Sequence, residues 1–514
     1  MDALEQEALE VLSLVRSMKN TFAPINRIPQ EVLSLIPKHC DTDEVLITAT
    51  RVCRGWREQF ISHSSLWTTL DCATVNQTRV YLERSKTSPL DICLGGKGRA
   101  PFLNDAFLLT VPHLGRLRSL SVTASSNKFV ELIKPFLHCR APLLEELKIC
   151  STSTSPPSIP AVIFDGNLSS LRKLYLDGAL TNLPWRNLSN LTTFYFHRVP
   201  SNEVSVTQLL DFFEQVPALR DIRLKDAFPD SSDAPHGRIV SLPHLDSLYI
   251  IAQPMHSLLL DHLVIPPDGL LMLEFDFSGD KSPIPAYLPR TSKNFEHLSH
   301  ITSINLSYTY TTPDRRCEPG IFLRLEGPNG AVYMFGHWVG AAASLATVGG
   351  QILRSLTHLD LSTTGSLMIT QYHPSSPPKI EESPAYQTLL PMNALRILTL
   401  ADCFNLPFIS ALNPNRIPSK AVICPKLEEL ALFIKARDRF HINKLLEMTE
   451  HRWSRGTKLS TLAIVCSQEF VPVKEVLKLR DYVSSVVYRL DDIVPPWDDI
   501  RDVGDITSYE TDCD

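Results

Sequence analysis

A six-residue pattern, Leu-x-x-Leu-x-Leu with apolar replacements, recurs along this chain and limits its fold more than any other feature. The first matches are Leu117-Leu120-Val122, Leu144-Leu147-Ile149, Leu171-Leu174-Leu176, Leu191-Phe194-Phe196, Leu219-Ile222-Leu224 and Leu245-Leu248-Ile250. They continue with Leu270-Leu273-Phe275, Ile301-Ile304-Leu306, Leu356-Leu359-Leu361, Leu395-Leu398-Leu400, Leu427-Leu430-Leu432 and Leu459-Leu462-Ile464. The early starts lie 27, 27, 20, 28 and 26 residues apart. A unit of that length cannot bury its own apolar face, so it must stack on its neighbours. The expected arrangement is one short strand per unit, paired in parallel, with a helix or loop returning outside. Twelve copies at mostly regular spacing argue against chance in a Leu-rich chain.

This pattern resembles the leucine-rich repeat. The resemblance implies an α/β fold: a solenoid with a curved parallel sheet and irregular insertions, over residues 71–490. The Leu395 copy also continues to Cys403 and Leu406, where such repeats place a Cys or Asn and a Leu. Later spacings stretch to 31, 55, 39 and 32 residues, so long loops are expected at 276–300, 307–355 and 366–390. In the second of these, two apolar runs, Ile321–Leu325 and Ala331–Phe335, flank Pro328-Asn329-Gly330 and predict a β-hairpin. It either replaces a repeat or projects from the array. High Pro (38) and low Gly (20) fit many short elements joined by rigid turns. The tail, 491–514, holds nine acidic residues and one basic one, and is expected to cap the last repeat before fraying.

The N-terminal part has a different texture. Residues 1–23 form a helical pattern with Leu4, Ala8, Val11, Leu12, Val15 and Met18 near one face. Ala23-Pro24 ends it. Residues 24–70 predict about three helices. One starts near Pro29 with Val32, Leu33 and Ile36 on a face, and stops before Pro37. Another, capped by Asp41 or Thr42, carries Val45, Leu46 and Ala49, then Val52, Cys53 and Trp56. Such a short piece is too small to bury these faces alone, so an outside surface is expected to cover them.

This segment resembles an F-box. The matching residues are Ile28-Pro29-Gln30-Glu31-Val32-Leu33, then Val52-Cys53-Arg54-Gly55-Trp56-Arg57, then Ser65-Leu66-Trp67. It departs from the pattern at Ile28, where Leu is usual, and at Ile36-Pro37, which shortens the first helix. With the repeats, the chain is similar to fungal-type F-box proteins. That family implies docking to a Skp-family adaptor and, through it, to a cullin–RING ubiquitin ligase. The residues expected to dock are Ile28, Pro29, Val32, Leu33, Ile36, Val45, Leu46, Val52, Trp56, Leu66 and Trp67. The alternative is that these residues only cap the first repeats, and Leu66, Trp67 and Leu70 lead straight into the array.

In each repeat the single x between the last two apolar residues faces away from the core. Read along the chain, these are Ser121, Lys148, Tyr175, Tyr195, Arg223 and Tyr249, then Glu274, Asn305, Asp360, Thr399, Ala431 and Ala463. Tyr and Arg are enriched at binding hot spots. Tyr175, Tyr195, Arg223 and Tyr249, with Lys148 at the margin, are therefore the expected grip on a target protein. The competing explanation is that aromatic residues simply suit strand positions.

Catalytic patterns are missing. Gly95-Gly96-Lys97-Gly98 lacks phosphate-loop spacing. His297 and His300 have no further ligand at metal spacing beyond Glu296. The eleven cysteines are scattered, without Cys-x-x-Cys and without a basic setting that would make a thioester-forming nucleophile. The reading is a non-enzymatic receptor without a cofactor, acting by raising effective concentration. The alternative is a protein-interaction scaffold that promotes no ubiquitination. A net charge of −6 argues against a nucleic-acid partner. The acidic start lacks a signal-peptide pattern, and Phe335–Leu353 is too polar for a membrane span. A cytoplasmic or nuclear location follows as an expectation.

Overall fold

The computed structural model describes residues 2–33, 35–36, 43–95, 105–124, 136, 138–151, 158–159, 162–166, 168–181, 187–199, 204–227, 237–252, 256–276, 298, 300–309, 320–328, 330–337, 356, 359–372, 382–401, 405–413, 422–434, 442–466 and 473–490. The expected acidic tail, the Gly95–Gly98 turn beyond Gly95, and His297 lie outside these residues. The protein is mixed α/β, with a short helical N-terminal region and mostly parallel strands. It divides into two compact units, Met1–Leu191 and Thr192–Asp512. That division falls within the span 71–490.

The first unit begins with helix α1 (Asp2–Phe22) and a 3-10 turn at Pro24–Arg27. Then come α2 (Gln30–Leu33), α3 (Asp43–Val52), α4 (Arg54–Ser62) and α5 (Val75–Ser85). The helix expected to run through Cys53 is two helices. Cys53 is extended at φ −156°, ψ 172°, and its Sγ accepts from the Trp56 amide at 3.5 Å as a cap. Strands β1 (Thr69–Leu70), β2 (Leu90–Leu94), β3 (Leu117–Ala124), β4 (Glu146–Ser151) and β5 (Lys173–Asp177) pair in parallel, in chain order. Leu120, Leu147 and Leu174 stand in register, all buried. Phe107, Phe136 and Phe164 form a buried aromatic row behind them, with successive ring centroids 5.6 Å apart.

The second unit holds β6 (Thr193–Val199), β7 (Asp221–Ala227), β8 (Ser247–Ala252), β9 (Leu270–Asp276), β10 (Ser303–Thr309), β11 (Gly320–Gly327), β12 (Gly330–His337), β13 (Ser366–Tyr372), β14 (Ile397–Ala401), β15 (Glu429–Ile434), β16 (Thr461–Cys466) and β17 (Ser485–Leu490). Their spatial order is β6-β7-β8-β9-β12-β11-β10-β13-β14-β15-β16-β17. The predicted hairpin is β11–β12, and it takes two places inside the sheet. β12 pairs parallel with β9, while β11 pairs antiparallel with both β12 and β10. Helices α6 (Val206–Gln215), α7 (Glu382–Leu389), α8 (Asn405–Leu412), α9 (Ile442–Ser454) and α10 (Val473–Leu479) connect strands. Ser205 and Gln208 close a capping box on α6, whose Phe212 packs 4.6 Å from Phe194.

Two of the twelve matches are displaced. The Leu356 copy is not a strand. Asp360 accepts from the Ser362 amide at 3.0 Å, and the Thr363 and Thr364 hydroxyls donate to the Ile301 carbonyl at 3.1 and 3.0 Å. These contacts fold a polar turn there. The strand follows as β13, inside the span 366–390 expected to be a loop, with Leu367 and Ile369 buried. In the Leu270 copy, Leu271 and Leu273 lie opposite Leu248 and Ile250, so the frame starts two residues earlier than the pattern suggests.

Candidate functional site

Two surfaces carry the expected site residues. On the first, the helical segment 24–70, the structure separates core from surface. Leu33, Leu46 and Trp67 are buried at 2%, 6% and 1% exposure. Val32, Ile36 and Val52 remain 49%, 40% and 56% exposed, as do Leu35 and Ile25 beside them in sequence. Pro29 is exposed, and Ile28, Val45, Trp56 and Leu66 are half-buried.

Hydrogen bonds brace this segment from within. The Trp56 indole N–H donates to Asn26 Oδ1 at 2.6 Å, tying α4 to the 3-10 turn. Arg57 Nε donates to the Thr50 carbonyl at 2.9 Å, bridging the break at Cys53. The Trp67 indole N–H donates to the Phe60 carbonyl at 2.8 Å, its ring meets Tyr81 edge-on at 5.0 Å, and the Arg84 guanidinium lies 4.3 Å from its centroid. Trp67 therefore joins α4 to α5 and is not part of an open face. Among the described apolar residues of this segment, Ile25, Pro29, Val32, Leu35, Ile36, Val52 and the edges of their half-buried neighbours are open to a protein partner.

The second kind of surface is the strand face opposite the leucines, present in each unit. In the first unit Ser121, Lys148 and Tyr175 stand side by side in register. In the second unit Tyr195, Arg223 and Tyr249 do so. The next position belongs to Met272, and Tyr249 reaches Glu274 diagonally, its hydroxyl donating to Oε2. Register then continues through Tyr333, Arg324 and Asn305 to Met368 and Thr399. Asp360, in its turn, is not part of this row. Arg223 pairs with Asp221 two residues back, Nε to Oδ2 at 3.3 Å, and Ser247 donates to the same carboxylate at 2.6 Å. Arg324 pairs with Glu326 and lies 5.3 Å from the Tyr333 ring centroid. Phe322 and Phe335 face each other at 5.0 Å one step along.

Met272, Arg324, Tyr333, Phe322 and Phe335 thus extend the Tyr195–Arg223–Tyr249 row, and the sequence reading did not place them there. The available signal was the alternation of apolar and polar residues along 323–326, which puts Arg324 on the face opposite Leu323 and Leu325. Further along, the His197 imidazole contacts Asp226 at 3.4 Å, and this hydrogen bond holds the Asp226 carboxyl below its ordinary value. Met272 and Phe322 are buried at 4% and 6% exposure and underlie this face, while its more open Tyr and Arg side chains, with their charges paired along the strand, suit contact with a protein surface.

Among the described residues no three His, Cys, Asp or Glu side chains gather as a metal-ligand set, and no helix is long and apolar enough to cross a membrane. Compared with models of protein families and with curated proteins, the chain matches none.

Proposed function

We propose that this protein is the substrate-recognition subunit of an SCF-type ubiquitin ligase. In this reading residues 24–70 are an F-box that docks to a Skp-family adaptor, and the strands form a leucine-rich-repeat solenoid that holds the target. The observation that carries the proposal is the ordered motif Ile28-Pro29-Gln30-Glu31-Val32-Leu33, Val52–Arg57 and Ser65-Leu66-Trp67. Supporting it, Val32 on α2, Ile36 in the turn after it and Val52 at the end of α3 expose apolar side chains, while hydrogen bonds brace α4 to the 3-10 turn and to the end of α3. Leaving such groups in water is unfavourable by about 25 cal/mol per Å², and a partner surface removes that cost.

In this reading each unit offers its own row of candidate target contacts, Lys148 and Tyr175 in the first, and Tyr195, Arg223, Tyr249 and Tyr333 in the second. The protein itself supplies no chemistry. It acts by holding a target near a conjugating enzyme, where a tethered encounter replaces a diffusive one. Affinity purification of the full chain from its own cells tests the proposal. The adaptor and a cullin should co-purify in comparable amounts; a soluble preparation carrying neither would overturn it.

A further inference from the structure

Helix α1 presents a seam of exposed apolar side chains. Leu4, Val11, Val15, Met18 and Phe22 are 75%, 57%, 43%, 58% and 69% exposed. With Ala8 they follow one another at steps of 4, 3, 4, 3 and 4 residues. That alternation is the a/d repeat of a coiled coil, with Ala8, Val15 and Phe22 at a and Leu4, Val11 and Met18 at d. Between Leu4 and Asn20, among side chains that are described, Ser13 alone is half-buried. Its Oγ accepts from Arg54 Nη2 at 3.4 Å. Ser13 occupies the f position, diametrically opposite the seam. The helix therefore rests its polar back toward α4 and turns its a/d stripe outward.

Charge decides what fits that stripe. Glu5, Glu7 and Glu10 lie in the N-terminal half, and Arg16 and Lys19 in the C-terminal half. In a parallel, in-register copy each g position meets the e position five residues on, which pairs Glu7 with Leu12 and Leu14 with Lys19, so no opposite charges meet. An antiparallel copy aligns Leu4 with Phe22, Ala8 with Met18 and Val11 with Val15, an a residue facing a d residue in each layer. In that alignment the e positions meet: Glu5 faces Lys19 of the copy, Lys19 faces its Glu5, and Leu12 meets Leu12. The g positions add Leu14 against Leu14. Acid at the start and base at the end also suit the helix dipole, but the dipole does not explain a seam at heptad spacing or leucines at e and g.

We infer that α1 is a self-association element: two copies of the chain pair their α1 helices as an antiparallel coiled coil. A symmetric contact of this kind is isologous, so it closes as a dimer. The inference is independent of any adaptor or target.

Sedimentation of the full chain across about 1–50 μM, a span that brackets a micromolar dissociation constant, tests it. The wild type should be a dimer in concentration-dependent exchange with monomer. Val11→Asp with Val15→Asp should weaken dimerisation by on the order of a hundredfold, because four charges enter the two central layers. Glu5→Lys alone, or Lys19→Glu alone, turns both attractive pairs into repulsive ones and should weaken it roughly tenfold. Combining Glu5→Lys with Lys19→Glu should restore affinity to within about threefold of wild type, a rescue that no general loss of folding can mimic. A monomeric wild type would overturn the inference. So would a dimer indifferent to Val11→Asp with Val15→Asp, or a double charge reversal weaker than either single one.

Discussion

Truncating Trp67 to Ala is the sharpest test of how the helical segment is built. The ring is 1% exposed, its indole N–H donates to the Phe60 carbonyl at 2.8 Å, and it contacts Tyr81 and Arg84. Removing a buried aromatic of this size costs about 3–5 kcal/mol through lost transfer energy and the cavity left behind. Leaving the Phe60 carbonyl without its indole donor adds roughly 1 kcal/mol. These contributions overlap, so about 4 kcal/mol is the expected loss, or roughly a thousandfold in the local opening equilibrium. Hydrogen exchange followed by mass spectrometry on peptides covering residues 54–94 reads this directly. Val52→Ala is the matched control. Val52 is 56% exposed, so its exchange should change by no more than about 0.5 kcal/mol, as for most surface substitutions. If Trp67→Ala accelerated exchange less than tenfold, Trp67 would not be the joint between α4 and α5.

Other parts of the fold give further outcomes. Arg452 is fully buried on α9 and donates to the Ile423 and Cys424 carbonyls at 2.8 and 2.9 Å. Arg452→Ala strands two acceptors and should cost about 2–4 kcal/mol in the local stability of residues 442–466, read by hydrogen exchange. Burial raises the Cys72 and Cys424 thiols to about 12 and Cys466 to about 11. Native iodoacetamide labelling at pH 8 should therefore spare all three until denaturant is added. The Asp226 carboxyl is held low by His197. A depressed carboxyl stabilises the fold above its unfolded value and loses that contribution as pH falls through the folded one. Asp226→Asn should accordingly flatten the low-pH end of the unfolding curve, followed by circular dichroism. Burial and Arg116 lower His113 below its ordinary 6.5. The folded state then binds this proton less readily than the unfolded one, so stability should fall as pH drops below about 6.5, and less so in His113→Asn.

The strands were legible because their apolar spacing reports directly on which side chains face the core. Leu120, Leu147 and Leu174, or Leu398, Leu430 and Leu462, sit where the pattern puts them. The pattern failed where a polar residue takes an apolar place. Thr364 is fully buried three residues before Leu367, satisfied by the Ile301 carbonyl, and so hid the frame of β13. The β2 strand, Leu90-Asp91-Ile92-Cys93-Leu94, and β17, Ser485–Leu490, went unseen because a short alternating run carries little signal alone. The hairpin was recognised, and a place within the array was one of its two alternatives, but its pairing with β9 and β10 depends on chain path and not on local residues. In the helical segment, composition identified the apolar residues but could not divide them. That Leu33 points inward while Val32 and Ile36 stay exposed is set by tertiary packing.

That division yields the most direct test of the central proposal. The measurement is the affinity of the purified full chain for a purified Skp-family adaptor, compared with a Val32→Asp, Ile36→Asp, Val52→Asp variant. All three side chains are exposed, so circular dichroism and hydrogen exchange of residues 54–94 should stay as in the wild type. Submicromolar binding by the wild type, weakened at least a hundredfold in the variant, is the predicted result, as three charges entering one apolar interface require. Equal binding by both proteins, or no binding by a folded wild type, would contradict it.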